Sequence, residues 1–327
     1  MQKVSPAKEF CLRGTSRHAQ GDVQGALTEF ASALEADPRC VEAWNNHGAA
    51  RHALGDLHGA LADFDQALAI DPRSAEAWNN RGIVLHALGN HGAARADFDR
   101  AIELRPRYAE ALSNRATTRQ AQGDLSGAVA DLDRALGIKP DRAQVYVERA
   151  AVLQALGDLE GARADYDRVL QLIPREVAAQ VYHLRCGVFA AQRQWAEALA
   201  DCNNALEIDP NLCLAHLSRG NMRYHLRDHA APTDYATAFR LNAQATANAI
   251  LRMLTADMRE DADGVLENCR KHLRICPDDA VAYSRRGLTL LLLGRDDEAA
   301  GDLEQAVRLF PECQKYLDIV VRQAKAR

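Results

Sequence analysis

Three asparagines, Asn46, Asn80 and Asn114, stand 34 residues apart, and so do three histidines, His18, His52 and His86. A side-chain amide carries both donors and an acceptor, so a row of them can hydrogen-bond a peptide backbone whatever its sequence. A row of imidazoles suggests metal binding, or a surface that charges as pH falls. Glu42, Glu76 and Glu110 recur at the same interval, and Thr117 and Gln120 stand one interval after Ile83 and His86. Zinc needs its nitrogen ligands to converge within about 2.0–2.1 Å of one ion. A row spread one helix spacing apart, joined by no Cys or His pair at i, i+4, does not converge, so no metal is expected. The chain has no G-x-S-x-G, no phosphate-cradling glycine loop and no H-E-x-x-H, so neither catalysis nor a cofactor is expected.

The elements that must carry these residues follow from the prolines. Pro38, Pro72, Pro106, Pro140 and Pro174 succeed one another at 34, Pro210 follows 36 later, and Pro277 to Pro311 is again 34. This phase gives nine units: 7–40, 41–74, 75–108, 109–142, 143–178, 179–212, 213–245, 246–279 and 280–313. Within 75–108, a helix from Ala75 stops at Gly89-Asn90, a C-cap signal. A second helix from His91 is ended by Arg105-Pro106, since proline lacks an amide hydrogen and restricts the residue before it. Ala94, Phe98, Ala101 and Ile102 recur there at helical spacing, and no window alternates with period two. The chain is expected to be all-α.

Small residues stand eighth in most units, including Gly14, Gly48, Gly82 and Gly220. Glycine inside a helix costs up to about 1 kcal/mol against alanine, so its recurrence implies that two helix backbones approach closely there. Phe30, Phe64, Phe98, Leu132 and Tyr166 are expected to fill the space beside it. Arginine recurs seventh (Arg81, Arg115, Arg149, Arg185, Arg219 and Arg286, with His47 the exception). Aspartate recurs before the second-helix aromatic or its equivalent (Asp63, Asp97, Asp131, Asp165, Asp201 and Asp234). Opposite charges in register are expected to form structural ion pairs. Cys186 and Cys202 occupy core positions and are expected to be buried.

Trp78-x-x-Arg81-Gly82-x-x-Leu85, then Ala94-x-x-x-Phe98, then Pro106, resembles the tetratricopeptide repeat (TPR) in spacing and period. The resemblance covers nearly the whole chain, as about nine tandem repeats plus a C-terminal capping helix. It implies a right-handed α-solenoid superhelix of antiparallel helix pairs, with first helices lining the concave face. The expected segments are 1–178 for the regular units one to five and 179–245 for units six and seven. Residues 246–313 hold a degenerate unit eight and a regular unit nine, and 314–327 the capping helix. In that helix Leu317, Ile319, Val320 and Val321 are expected to cover unit nine, because end repeats otherwise expose an apolar face.

Positions 2, 6, 9 and 12 of a first helix share one face, which the resemblance places in the groove. Glu42, Asn46 and His52, then Glu76, Asn80 and His86, then Glu110, Asn114, Thr117 and Gln120, with His18, are the expected peptide-binding residues. Helices about 8–10 Å apart would let one asparagine hold roughly every third residue of a strand rising about 3.3 Å per residue. The row looks like the asparagine ladder in the repeat region of O-linked N-acetylglucosamine transferases. The basic clamp by which some family members hold a C-terminal carboxylate is missing: unit four places Glu110 and Asn114 where bases are required.

Composition agrees. The chain has 327 residues, 47% hydrophobic and 26% charged, with a formal charge of −5. That balance suits a soluble folded protein and argues against nucleic acid, which needs an excess or cluster of Lys and Arg. The first residues lack the apolar core of a secretory signal, and the longest apolar run is too short for a bilayer. Eight cysteines without a C-x-x-C pair suggest reduced thiols and a cytoplasmic protein. The expected function is a non-catalytic scaffold that holds a peptide or helical segment of a protein partner. The alternative is a self-associating structural scaffold that works through its convex or terminal surfaces.

Overall fold

The computed structural model describes residues 5–326, and among them there are helices and turns but no strand. The chain divides into two compact units, Met1–Asp165 and Tyr166–Arg327. The first unit runs α1 (Pro6–Ala19), α2 (Val23–Ala36), α3 (Val41–Ala53), α4 (Leu57–Ile70), α5 (Ala75–Ala87), α6 (His91–Leu104), α7 (Ala109–Ala121), α8 (Leu125–Ile138) and α9 (Ala143–Leu156). The boundary falls inside α10 (Leu159–Leu172). The second unit continues with α11 (Ala179–Ala191), α12 (Trp195–Ile208), α13 (Cys213–His225), α14 (Ala231–Leu241), α15 (Ala243–Ile275), α16 (Ala280–Leu292), α17 (Asp296–Leu309) and α18 (Gln314–Lys325). Helices pack in chain order as antiparallel pairs, α1 with α2, α3 with α4, α5 with α6 and α7 with α8 in the first unit, and α11 with α12, α13 with α14 and α16 with α17 in the second. Helices α2, α4, α6, α8, α12 and α14 also pack against the helix that follows, as in a solenoid of hairpins. First helices also touch one another, α1 with α3, α3 with α5 and α5 with α7.

One chemistry turns the first five hairpins. Asp22, Asp56, Asp124 and Asp158 accept from the amides of Gly25, Gly59, Gly127 and Gly161 at 2.9–3.0 Å, capping the second helices. The turn before each cap holds a left-handed glycine; Gly89, for example, has φ 78°. The Trp44 and Trp78 indoles each donate to the carbonyl of the preceding turn, Pro38 and Pro72, at 2.9 Å. The paired helices approach as the small residues require. A Cβ on Gly14, Gly48 or Gly82 would fall 2.5, 2.9 or 2.8 Å from the ring of Phe30, Phe64 or Phe98.

The arginine row is a lock between and within hairpins. Arg81 grips Asp97 of its own hairpin through two bonds of 2.7 and 2.8 Å and reaches Asp65 of the preceding one at 2.7 Å. Arg115 repeats this with Asp131 and Asp99, and Arg149 with Asp165 and Asp133. In the second unit Arg185 holds Asp201 and Asp167, and Arg286 holds Asp302. His47 substitutes with a 2.7 Å contact to Asp63. Arg13 departs from the rule by pairing with Glu29 and Glu9.

Two features differ from the sequence expectation. The eighth hairpin starts at Ala243, ahead of 246, because Asn242 caps it by accepting from the Ala245 amide. Its two halves run on as one helix, bent only at Asp261 (φ −161°, ψ 88°). Asp261 caps the second half through the Gly264 amide at 2.8 Å, so the turn has contracted to one residue. The tail helix α18 packs against α15 and α16, burying Tyr316, Leu317 and Val320, with Ile319 and Val321 half-buried. The Tyr316 ring stacks on Phe239 of α14 at 4.7 Å. An apolar cavity of about 80 Å3 remains there, bounded by Tyr235, Ile250, Met253, Leu288 and Val320 among others.

Candidate functional site

Asn46, Asn80 and Asn114 are half-buried on α3, α5 and α7. The structure joins Asn80 and Asn114, but not Asn46, to other side-chain amides. Asn80 Nδ2 donates to Asn45 Oδ1 at 3.0 Å, Asn79 Nδ2 to Asn80 Oδ1 at 3.2 Å, and Asn114 Nδ2 to Asn79 Oδ1 at 2.9 Å. One chain of amides, Asn45–Asn80–Asn79–Asn114, therefore crosses three consecutive first helices. Asn45 and Asn79 are the members that reasoning from a single position per unit missed. The signal was present in the doublets Asn45-Asn46 and Asn79-Asn80, which set the fifth residue of one unit against the sixth of the next. Each amide nitrogen carries two hydrogens, so Asn80 and Asn114 keep one N–H beyond the chain, and Asn114 keeps its oxygen.

The carboxylates have structural partners. Glu76 pairs with Arg105 at 3.1 Å, and Glu110 takes Lys139 and Arg142, each at 2.5 Å. The hydrogen bond from Lys139 holds the Glu110 carboxyl below its ordinary range. These pairs tie the start of a first helix to the loop entering the next hairpin. Glu42 is exposed. Glu148, where the asparagine row ends, is half-buried, and burial pushes its carboxyl up.

The histidines are not equivalent. His18 is exposed at the end of α1, and His52 is half-buried. His86 contacts the Thr118 hydroxyl through Nδ1 at 3.0 Å and lies 4.8 Å from the His91 ring. Burial first, and the neighbouring His91 second, lower its pKa. Thr117 is exposed and donates to the Ser113 carbonyl of its own helix, and Gln120 is exposed. No group of three or more His, Cys, Asp or Glu able to hold a metal occurs among the described residues. Among them, too, no helix is long and apolar enough to cross a membrane.

Three family models for the tetratricopeptide repeat match, over residues 48–89, 75–108 and 113–177. No curated protein sequence matches the chain. Solved structures do. The Pseudomonas aeruginosa pilF structure is 18% identical with a TM-score of 0.58, over 67% of this chain and 97% of its own. That of PilW, a type IV pilus biogenesis factor, is 24% identical with a TM-score of 0.58, over 62% and 94%. A tetratricopeptide repeat protein from Parabacteroides merdae is 18% identical with a TM-score of 0.55, over 73% and 94%. At these identities the likeness establishes the fold alone. The family matches, with the tandem antiparallel hairpins, make the chain a tetratricopeptide-repeat protein.

Proposed function

We propose that the chain is a non-catalytic scaffold that holds an extended peptide or helical segment of a partner protein. The segment would lie across the first helices α1, α3, α5 and α7. The fold is generally a protein–protein interaction module. The observation that carries the reading is the amide chain Asn45–Asn80–Asn79–Asn114. Bonds between the asparagines fix their rotamers, so the remaining N–H groups of Asn80 and Asn114 are aimed before a ligand arrives. That removes ordering entropy from binding.

Three amides at about 0.5–1.5 kcal/mol each do not overcome association costs of 4 kcal/mol or more by a wide margin. Affinity must also come from side chains packing on His52, Ile83, His86 and Thr117. The test compares partner capture by the wild-type chain and by an Asn46→Ala/Asn80→Ala/Asn114→Ala variant, with melting curves alongside. Loss of a specific partner from the folded variant supports the reading, and an unchanged partner set removes the asparagines from it.

A further inference from the structure

Six hairpin turns place a glycine in the left-handed region, at Gly21, Gly55, Gly89, Gly123, Gly157 and Gly294, with φ between 73° and 83°. In the sixth and seventh hairpins the corresponding residues are Arg193 and Arg227, each at φ 59°. Glycine adopts this conformation freely, whereas a Cβ meets its own carbonyl there. The arginines close their turns only with backbone: Arg193 N donates to Ala190 O at 2.9 Å and Arg227 N to Tyr224 O at 3.1 Å. Gly89 N does the same with His86 O at 2.9 Å. The arginine side chains therefore add nothing to the turn that glycine lacks, and both residues are exposed.

The two turns are neighbours. Trp195, which starts α12, and His225, which ends α13, stack at 4.1 Å with 7° between their planes. The nearby carboxylates do not neutralise the pair: Asp228 lies 3.3 Å from Arg223, Asp234 is held by Arg219 and Arg223, and Glu197 is exposed in the first turn of α12. Neither Arg193 nor Arg227 has an ion-pair partner among the described residues. Burial first, then the charges of Arg285, His272 and Arg193, favours the neutral form of His225, whose ring meets Tyr224 edge-on. Strain kept where glycine would relieve it points to a use outside the fold.

We propose that Arg193 and Arg227, presented on adjacent turns, form a docking surface for an acidic segment of a partner protein. Two guanidiniums receive two carboxylates, the pairing their planar forks fit best. A nucleic acid fits less well. The Trp195 ring has a face covered by His225 and offers no stacking platform there, two arginines make no phosphate track, and the chain is negative overall.

The test uses the full chain and a fluorescein-labelled octaglutamate peptide, read by anisotropy at low salt. An Arg193→Gly/Arg227→Gly variant should bind at least tenfold more weakly while melting at the same or a higher temperature. An Arg274→Gln/Arg308→Gln variant, which removes two exposed arginines of the same unit, should bind like wild type. The proposal is overturned if the glycine variant binds as well as wild type. It also fails if that variant melts lower, which would give the side chains a structural role. Equal weakening in the Arg274/Arg308 variant would show diffuse attraction only, and tighter binding of single-stranded RNA than of octaglutamate would assign the surface to nucleic acid.

Discussion

Arg115 holds Asp131 through two hydrogen bonds of 2.8 and 2.5 Å, with side chains only 10% and 2% exposed. The same arginine reaches back to Asp99, so one guanidinium fastens the helices of its own hairpin and the hairpin before it. Surface pairs contribute little, but removing one partner of a buried pair strands the other charge.

Asp131→Asn should therefore lower stability by about 3 kcal/mol, because Arg115 and Arg119 both lose their buried carboxylate and keep only the exposed Asp99 and Asp124. Asp133→Asn, which touches Arg149 from a side chain 53% exposed, should cost less than about 1 kcal/mol. Urea titrations followed by circular dichroism measure both. Equal losses would show that the lock does not depend on burial.

Gly82→Ala places a methyl 2.8 Å from the Phe98 ring and should destabilise by about 1–3 kcal/mol. Gly137→Ala, on the exposed side of α8 with nothing within 4 Å, should stabilise by up to about 1 kcal/mol. Thermal melts of the two variants should move in opposite directions.

Three histidines set a pH dependence. Burial is the first cause of the lowered pKa of His86, His183 and His225, with His225 brought to about 4. Below about 6.5 the unfolded chain takes up these protons and the folded chain resists them, so stability falls with pH from neutrality toward 4. Glu110, whose pKa is lowered, contributes in the other window: its share is present above its ordinary value near 4.5 and lost below it. Melting temperatures between pH 7 and pH 5 should fall, and His86→Gln/His183→Gln/His225→Gln should flatten the slope. An unchanged slope would contradict the account.

The first five hairpins were legible in the sequence because period, caps and core obey one rule in each. Pro72, Gly89 and Pro106 mark ends, and Gly82 with Phe98 marks the contact between helices. The arginine–aspartate register was also readable, since residues 16 apart in one hairpin face each other. Tertiary context hid the rest. Asp261 looks like any capping aspartate, and only the packing of α15 shows that its turn has shrunk to a bend. The sequence marks Leu317, Ile319, Val320 and Val321 as the covering residues of the tail, yet the stack on Phe239 buries Tyr316, and Ile319 and Val321 are only half-buried. The asparagines were placed on their helices, but the cross-helix bonds to Asn45 and Asn79 depend on the stagger between hairpins. Through those bonds, replacing Asn80 and Asn114 should cost about 1 kcal/mol each in stability.

The most direct test of the binding face is site-specific photocrosslinking in cells that make the protein. A benzophenone side chain is placed at Ala49, Ile83 or Thr117 on the first helices, or at the exposed Ala62, Ala96 or Ala130 on the second helices. The account requires adducts with a different protein from the first set and none from the second. Adducts confined to the second set, or formed only with another copy of this chain, would contradict it.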